Sequence, residues 1–508
     1  MRVAALDLGS NSFHLLVADV HPDRSFTTIT REKDMLRLGD EVGRHGRVRK
    51  NAADRAVASV RRLRELAEAN GARKVVAVAT AAIRAADNGS ELVDRFAAEA
   101  GVRARVIDGI EEAALVYQAV RASIAIEDSP AIGFDLGGGS LEIWVGSAES
   151  LITSTSLHLG VGVLRTMFVD ADPPSRAAIK AMSRHIDLEL APVAEEYLSH
   201  EPDLLIGTSG TFGDLAAMTN AYAGRTVNGA RNHLSFTRDE FESLFDDLVA
   251  MSSDERRALT GLEDKRVDLI IPGAVVLDRL FAHFELDSLT YSDWALREGI
   301  LLDTVEHADP REFADDARSV QRASVAALAR RCRSNVAHCR NVLGLAERLF
   351  DALVDLHDLD ADDRMWLEHA VLLHDIGQHV SHERHHEHAA YLVQHGALRG
   401  FDHDGVLFLA ALVRHHRKGE PKDSEPLFAM LRPRDRNRLR KIVAILRVAD
   451  GLDRGRRQRV QDVDVSFDDE AVTITLHADG DPELEQWGAR RRADLFERVF
   501  RRKLVLRP

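Results

Sequence analysis

The chain has 508 residues, 45% hydrophobic and 29% charged, with a formal net charge of −15. That length predicts two to four domains with real cores, and the negative balance excludes a general nucleic-acid binder. No apolar run reaches the ~18 residues of a membrane-spanning helix, and two cysteines in one helical region, Cys332 and Cys339, exclude a disulfide framework. The N-terminus enters a strand directly, without the basic and apolar stretches of a secretion signal, so the cytoplasm is the expected compartment and no membrane partner is expected.

The run Val3-Ala4-Ala5-Leu6 leads into Asp7-Leu8-Gly9-Ser10-Asn11-Ser12-Phe13 and out along His14-Leu15-Leu16-Val17, which reads as strand, tight turn, strand. Helical spacing follows from Asp54 to Ala69, then a buried strand at Val75–Thr80 and another within Gly101–Ile107. Ile107-Asp108-Gly109-Ile110-Glu111-Glu112-Ala113-Ala114 opens a helix that continues through Tyr117 and Val120. Glutamates in a first turn complement the helix dipole; beside a phosphate, one also suits the general base that takes a proton from water.

The order then repeats. Ala131-Ile132-Gly133-Phe134 leads into Asp135-Leu136-Gly137-Gly138-Gly139-Ser140-Leu141-Glu142 and out along Ile143-Trp144-Val145. A helix follows around Ser175 to Leu198, then the strand Leu204-Leu205-Ile206 ending in Gly207-Thr208-Ser209-Gly210-Thr211, and Thr290–Gly299 leads into a further helix. Glycine lets backbone N–H groups converge on a tetrahedral anion, and the aspartate closing each strand can hold a metal or a water beside it. Two such turns at equivalent places predict a duplicated phosphate-binding fold with a cleft between its halves.

After about residue 306 long helical patterns dominate (Asp316–Arg333, Ala337–Asp355, Asp362–Leu373), and strands return only at Val463–Phe467 and Ala471–Leu476. The expected domains are therefore 1–124, 125–305, 306–460 and 461–508. Histidines concentrate in the helical part: His338, His374 beside Asp375, His385, His386, His388, His415 and His416, with Asp450 beyond them. His374 and Asp375 end an apolar helix, where a neutral nitrogen and an anionic oxygen can reach one cation. Several of His379, His382, His385 and His386 are expected to be bystanders. From Arg414 to Arg459 there are 15 Lys/Arg against 6 Asp/Glu, which reads either as a solvated helix face or as a track for a polyanion.

The ordered set Asp7–His14, Ala79-Thr-Ala-Ala-Ile-Arg84, Gly109-Ile-Glu-Glu-Ala113, Asp135–Glu142, Gly207-Thr-Ser-Gly-Thr211 and Arg297-Glu-Gly299 resembles the exopolyphosphatase/guanosine pentaphosphate phosphatase family of the actin-like ATPase superfamily. The resemblance implies an α/β fold of two actin-like (ribonuclease H-like) domains. It implies that Glu112 activates water with Glu111 as its neighbour, that Arg84 faces the phosphates, and that Asp135 and Glu142 hold Mg²⁺. Gly137, Gly138, Gly139 and Ser140 would donate to the terminal phosphate, Ser10, Asn11 and Ser12 would do so from the opposite wall, and Ser209, Gly210 and Thr211 would form a third loop. The helical part resembles the HD phosphohydrolase superfamily, with His338, His374, Asp375 and Asp450 as a divalent-metal quartet and His388 and one of His415 or His416 as additional ligands. It is also similar to the C-terminal domain of longer exopolyphosphatase relatives, which implies an all-α HD-type domain, a small α+β tail and a homodimer.

The leading expectation is a Mg²⁺-dependent enzyme that releases terminal orthophosphate from inorganic polyphosphate. The alternatives are a guanosine pentaphosphate 5'-phosphohydrolase, a kinase-like user of ATP, and a polyphosphate or nucleotide sensor without turnover. The turns do not separate the first two, because both substrates end in the same chemical group.

Overall fold

The computed structural model describes residues 1–20, 26–126, 129–225, 231–285, 287–306, 317–417 and 421–508. They form two compact units, Met1–Val320 and Gln321–Pro508. Among the described residues, no helix is long and apolar enough to cross a membrane.

The first unit contains two sheets on one plan. β1 (Arg2–Leu8), β2 (Ser12–Val20) and β3 (Phe26–Met35) form an antiparallel meander, and β4 (Lys74–Ala79) and β5 (Ala104–Val106) extend it in parallel beside β1. β6 (Ala131–Leu136), β7 (Leu141–Gly146) and β8 (Leu151–Leu157) repeat the meander, with β9 (Leu204–Thr208) parallel to β6. β10 (Ser235–Thr237) and β11 (Ser288–Tyr291) complete it, β11 lying parallel to β9. This duplicated order is the repeat that the paired turns led one to expect, in the actin-like arrangement that the family resemblance implied.

The central strands are largely apolar, as strands covered on both faces must be, with Asp135 and Glu142 as the carboxyls; every residue of β6 and β7 is buried. Helices Lys50–Ala69 and Gly89–Ala100 cover one face of the first sheet, and Arg176–Leu198 and Ile270–Phe284 one face of the second. Between the sheets, helices Gly109–Arg121 and Leu296–Glu306 share one core with Ala5 and Val78 of the first sheet and Trp144 and Ile206 of the second. That shared core holds the two hairpin tips in fixed register.

The second unit begins inside helix Ala317–Arg331 and continues through Val336–Ala352, Ala361–Leu373, His385–His395, His403–Arg414 and Pro433–Gly451. β12 (Val460–Phe467), β13 (Ala471–Ala478), two short helices and β14 (Lys503–Arg507) follow. The strands of the tail pack onto the bundle. Ile474, Phe496 and Leu506 share a core with Leu349, Leu409 and Ile445. A three-stranded sheet with one apolar face needs helices to cover it, and the bundle supplies them.

Candidate active site and candidate metal centre

The two hairpins close in the same way. Gly9 N–H donates to the Ser12 carbonyl at 3.2 Å, and Gly137 N–H to that of Ser140 at 3.0 Å. Cross-strand register sets Asp7 opposite His14 and Asp135 opposite Glu142. The tips were expected on opposite walls, but they meet. A Cβ at Gly138 would lie 2.7 Å from Asn11 Cγ, and one at Gly139 would lie 2.8 Å from Ser10 Oγ and 2.9 Å from Ala81 Cβ. Glycine at these positions therefore serves close approach of two backbones as well as access to an anion. Ser10 Oγ accepts the Ala82 N–H at 3.0 Å, and the Ser12 hydroxyl is hydrogen-bonded to His14 Nε2 at 2.7 Å.

A cavity of ≈ 160 Å³ opens over the joined tips, lined by all ten of the turn and loop residues expected to bind phosphate, together with Glu112 and Asp135. Asp108 caps the helix Gly109–Arg121, its carboxylate accepting the Glu111 N–H at 2.8 Å. Successive helical residues point about 100° apart, so only one glutamate of the pair can face the cavity. Glu112 does, at 7% exposure; Glu111 turns to the surface and pairs with Arg105. Glu111 is thus not brought to the site. Arg84 is not on the cavity wall either: its Nη1 donates to the Ile107 carbonyl at 2.7 Å and lies 3.4 Å from Glu112 Oε2. Glu142 is fully buried, accepting from Ser156 Oγ at 2.8 Å.

Burial, then the charges of Glu142, Asp135 and Asp7, raises the Glu112 carboxyl well above its ordinary value. Burial also lifts Asp7 to about 7, Asp135 to about 6 and Glu142 to about 7. These carboxyls offer oxygen donors, the class a hard divalent cation such as Mg²⁺ takes, but among the described residues no three of them bring ligand atoms within 4.8 Å of one another.

The cationic side of the cavity was not assigned from the sequence. A row across three strands carries Asp7, His14 and Lys33. Burial, then Arg266 and Lys265, pulls the Lys33 amine down to about 8, and burial, then Arg297, keeps His14 neutral. Arg297 lies 3.4 Å from His14 Nδ1, and Arg266 is anchored by the Gly210 carbonyl at 2.7 Å and by Asp214 at 3.3 Å. His14 and Arg297 sat inside recognised motifs without a role; Lys33 could be found only from the register of β3.

In the second unit the quartet comes together. His338 Nε2 lies 3.4 Å from Asp450 Oδ1 and 4.0 Å from Asp375 Oδ2, and His374 Nε2 lies 3.8 Å and 3.7 Å from the same oxygens. Burial pushes His374 down to about 4, the neutral form that ligates metals. His388 is half-buried and belongs to neither cluster of potential ligands, while His415 Nε2 faces Glu425 at 3.3 Å. His416 joins the site, and so does His385, which had been grouped with bystanders.

Part of the basic stretch is paired within the unit, while Arg432, Arg434, Arg454 and Arg457 are exposed. Arg436 pairs with Asp423, Arg438 with Asp363 and Asp435, Arg440 covers the Phe428 ring, and buried Arg447 holds the His415 carbonyl. Lys418 lies outside the described residues. These pairings occupy Arg436, Arg438, Arg440 and Arg447 but leave the exposed arginines open to either reading.

The sequence profile of the Ppx/GppA phosphatase family matches residues 16–308, and that of Ppx/GppA phosphatase, domain III, matches residues 320–486. Exopolyphosphatase 1 of Mycobacterium leprae is 32% identical over 303 residues, covering 59% of this chain and 89% of its own. A guanosine-5'-triphosphate,3'-diphosphate pyrophosphatase of Vibrio vulnificus is 28% identical over 425 residues, covering 82% of this chain and 80% of its own. Among solved structures, an exopolyphosphatase from Cytophaga hutchinsonii matches with a TM-score of 0.57 and 28% identity, over 60% of this chain and 98% of its own. The Aquifex aeolicus member of the Ppx/GppA family matches at 0.53 and 29%, over 61% and 99%. With the duplicated sheets and joined glycine turns, these matches establish that the chain belongs to the Ppx/GppA phosphatase family.

Proposed function

We propose that the first unit is a Mg²⁺-dependent exopolyphosphatase, a phosphoanhydride hydrolase that removes terminal orthophosphate from inorganic polyphosphate. The observation that carries this is the buried Glu112 carboxyl, held beside Arg84 and facing the joined turns with its proton affinity raised. The turns and the loop Ser209-Gly210-Thr211 seat the terminal phosphate, and Lys33, Arg266 and Arg297 hold the negative charge next to it. Glu112 takes a proton from the attacking water, the terminal P–O anhydride bond breaks, and the remaining chain leaves on its oxygen. Asp135 and Glu142 are the residues to hold Mg²⁺, which when bound neutralises phosphate charge.

A phosphate-release assay on purified polyphosphate tests this. Glu112→Gln should reduce kcat about 100- to 10,000-fold, the usual contribution of a general base; retained turnover overturns the assignment. The second reading, 5'-phosphohydrolysis of guanosine pentaphosphate, is favoured by the similarity to the Vibrio vulnificus enzyme, which extends over 82% of this chain. Orthophosphate released from the nucleotide but not from polyphosphate would select it. We also assign His338, His374, Asp375 and Asp450 as a divalent-metal site in an HD-type domain. Homodimerisation, testable by light scattering, is part of the proposal, as is a cytoplasmic location, which the unpaired buried Cys332 and Cys339 support.

A further inference from the structure

The two hairpin tips carry serines at equivalent places with unlike neighbours. The Ser12 carbonyl closes one turn on Gly9 and the Ser140 carbonyl closes the other on Gly137. Two residues on, the strand carries His14 in the first copy and Glu142 in the second, each opposite the strand-closing aspartate. Ser12 and Ser140 are both buried, and both line the cavity over the tips.

What each neighbour can donate or accept fixes the direction of each hydroxyl. A guanidinium has donors and no acceptor, so where Arg297 Nη1 meets His14 Nδ1 at 3.4 Å the imidazole nitrogen accepts. Burial, then the charges of Arg297, Lys33, Arg266 and Lys265, keeps His14 neutral. A neutral imidazole with a bare Nδ1 carries its proton on Nε2. The 2.7 Å contact between His14 Nε2 and Ser12 Oγ is therefore an N–H donating to a hydroxyl oxygen. With that lone pair occupied, the Ser12 proton is left for the cavity. Ser140 faces the opposite demand. An ionised carboxylate only accepts, and Glu142 draws the hydroxyl protons of Ser140 and of Ser156, the latter at 2.8 Å.

We propose that Arg297 and His14 are positioning residues that turn the Ser12 hydroxyl proton toward the terminal phosphate, so that of the two equivalent serines Ser12 donates to the substrate while Ser140 gives its proton to Glu142. The inference rests on the phosphohydrolase reading of the cleft and deepens it. In phosphoryl transfer the negative charge spreads over the equatorial oxygens of the moving group. A free hydroxyl rotates and must be turned each time a substrate arrives. One held by a neutral imidazole is already aimed, so it costs no reorientation when that charge develops. Arg297 then acts twice, through its charge beside the phosphate and through the imidazole proton that it fixes.

The full chain, labelled with nitrogen-15 in histidine, gives the first measurement, with the His14 signals assigned by difference from His14→Gln. They should show a neutral ring protonated on Nε2 at neutral pH, and a proton shared between the two nitrogens in Arg297→Met. A ring protonated on Nδ1, or one unaltered by Arg297→Met, overturns the proposal. The second measurement is phosphate release from polyphosphate at saturating Mg²⁺. Ser12→Ala should lower kcat about 100-fold, as loss of one donor to developing charge does. His14→Met should lower kcat about 10-fold, and His14→Gln, which keeps an amide donor, should recover part of that loss. In the Ser12→Ala background His14→Met should cost less than about twofold, because its effect passes through the missing hydroxyl. A full further loss in the double variant would make His14 a structural residue and overturn the proposal. Ser140→Ala should instead raise the Mg²⁺ concentration needed for half-maximal rate; an unchanged Mg²⁺ requirement overturns its pairing with Glu142. Absence of phosphate release by the wild type would strike the functional reading alone, since the histidine spectrum decides the direction of the hydrogen bond without turnover.

Discussion

Substituting Gly139 by alanine tests whether the joined hairpin tips form the phosphate cradle. The added methyl would fall 2.8 Å from Ser10 Oγ and 2.9 Å from Ala81 Cβ, both inside any real Cβ contact. Ala81 opens a short helix and has no flexible end to move aside, so the tips must part by several tenths of an ångström. Overpacking of this kind costs about 1–3 kcal/mol. Displacing a catalytic cradle by about 1 Å costs on the order of 100-fold in rate, so kcat/KM for phosphate release should fall about 10- to 100-fold. Thermal unfolding should show only a modest drop in Tm. Because Ala81→Gly removes one of the two clashing atoms, the double variant should recover part of the activity. Gly43, with open space around it, is the control for glycine-to-alanine substitution. Wild-type kcat/KM in Gly139→Ala, or no recovery in the double variant, would refute the tip-to-tip geometry as the basis of the cradle.

Glu111→Gln should leave phosphate release within about twofold of wild type, since its partner is surface Arg105; a loss matching Glu112→Gln would return Glu111 to the site. The Lys33 amine, lowered to about 8, loses its charge as pH rises through that value, so kcat/KM should fall on the alkaline side near pH 8. Lys33→Arg should shift that limb upward, and an unchanged profile would exclude Lys33 as its source. Burial holds His233 down to about 4, its Nε2 donating to the Ser123 carbonyl at 3.1 Å. Its folded value lies below the unfolded one, so its contribution is complete above about pH 6.5 and fades between 6.5 and 4, by ~3 kcal/mol in total. Denaturant titrations of His233→Gln should show a flatter stability profile across that window. Arg438→Ala should lower Tm through loss of its bond to Asp363 without changing the preference for long over short polyphosphate.

The hairpins were legible because their signals are local: apolar runs in and out, and glycine and hydroxyl residues between. Domain duplication followed from their spacing. What escaped depends on direction and partner. Glu111 and Glu112 are equivalent on paper and separate only once the phase of their helix is fixed. Lys33 reaches the cavity through a strand pairing that nothing nearby in sequence announces. The sequence left His415 and His416 as alternatives and set His385 among bystanders; which imidazoles reach Asp375 depends on how their helices pack, which motif spacing does not encode. The partners of the arginine-rich stretch were hidden for the same reason, since Asp363 and Asp404, which pair with Arg438 and Arg432, lie on other helices.

The repeated hairpin also makes the cleft directional. Its backbone is duplicated, yet the residue opposite the strand-closing aspartate is an imidazole with a lysine beyond it in one copy and a carboxyl in the other. The cavity therefore carries its own electrical polarity, fixed by two sheets that share a core. A string of identical phosphates reads the same from either end. The protein does not: whichever end enters, the bound phosphates meet an imidazole and a lysine on one copy of the hairpin and a carboxyl on the other.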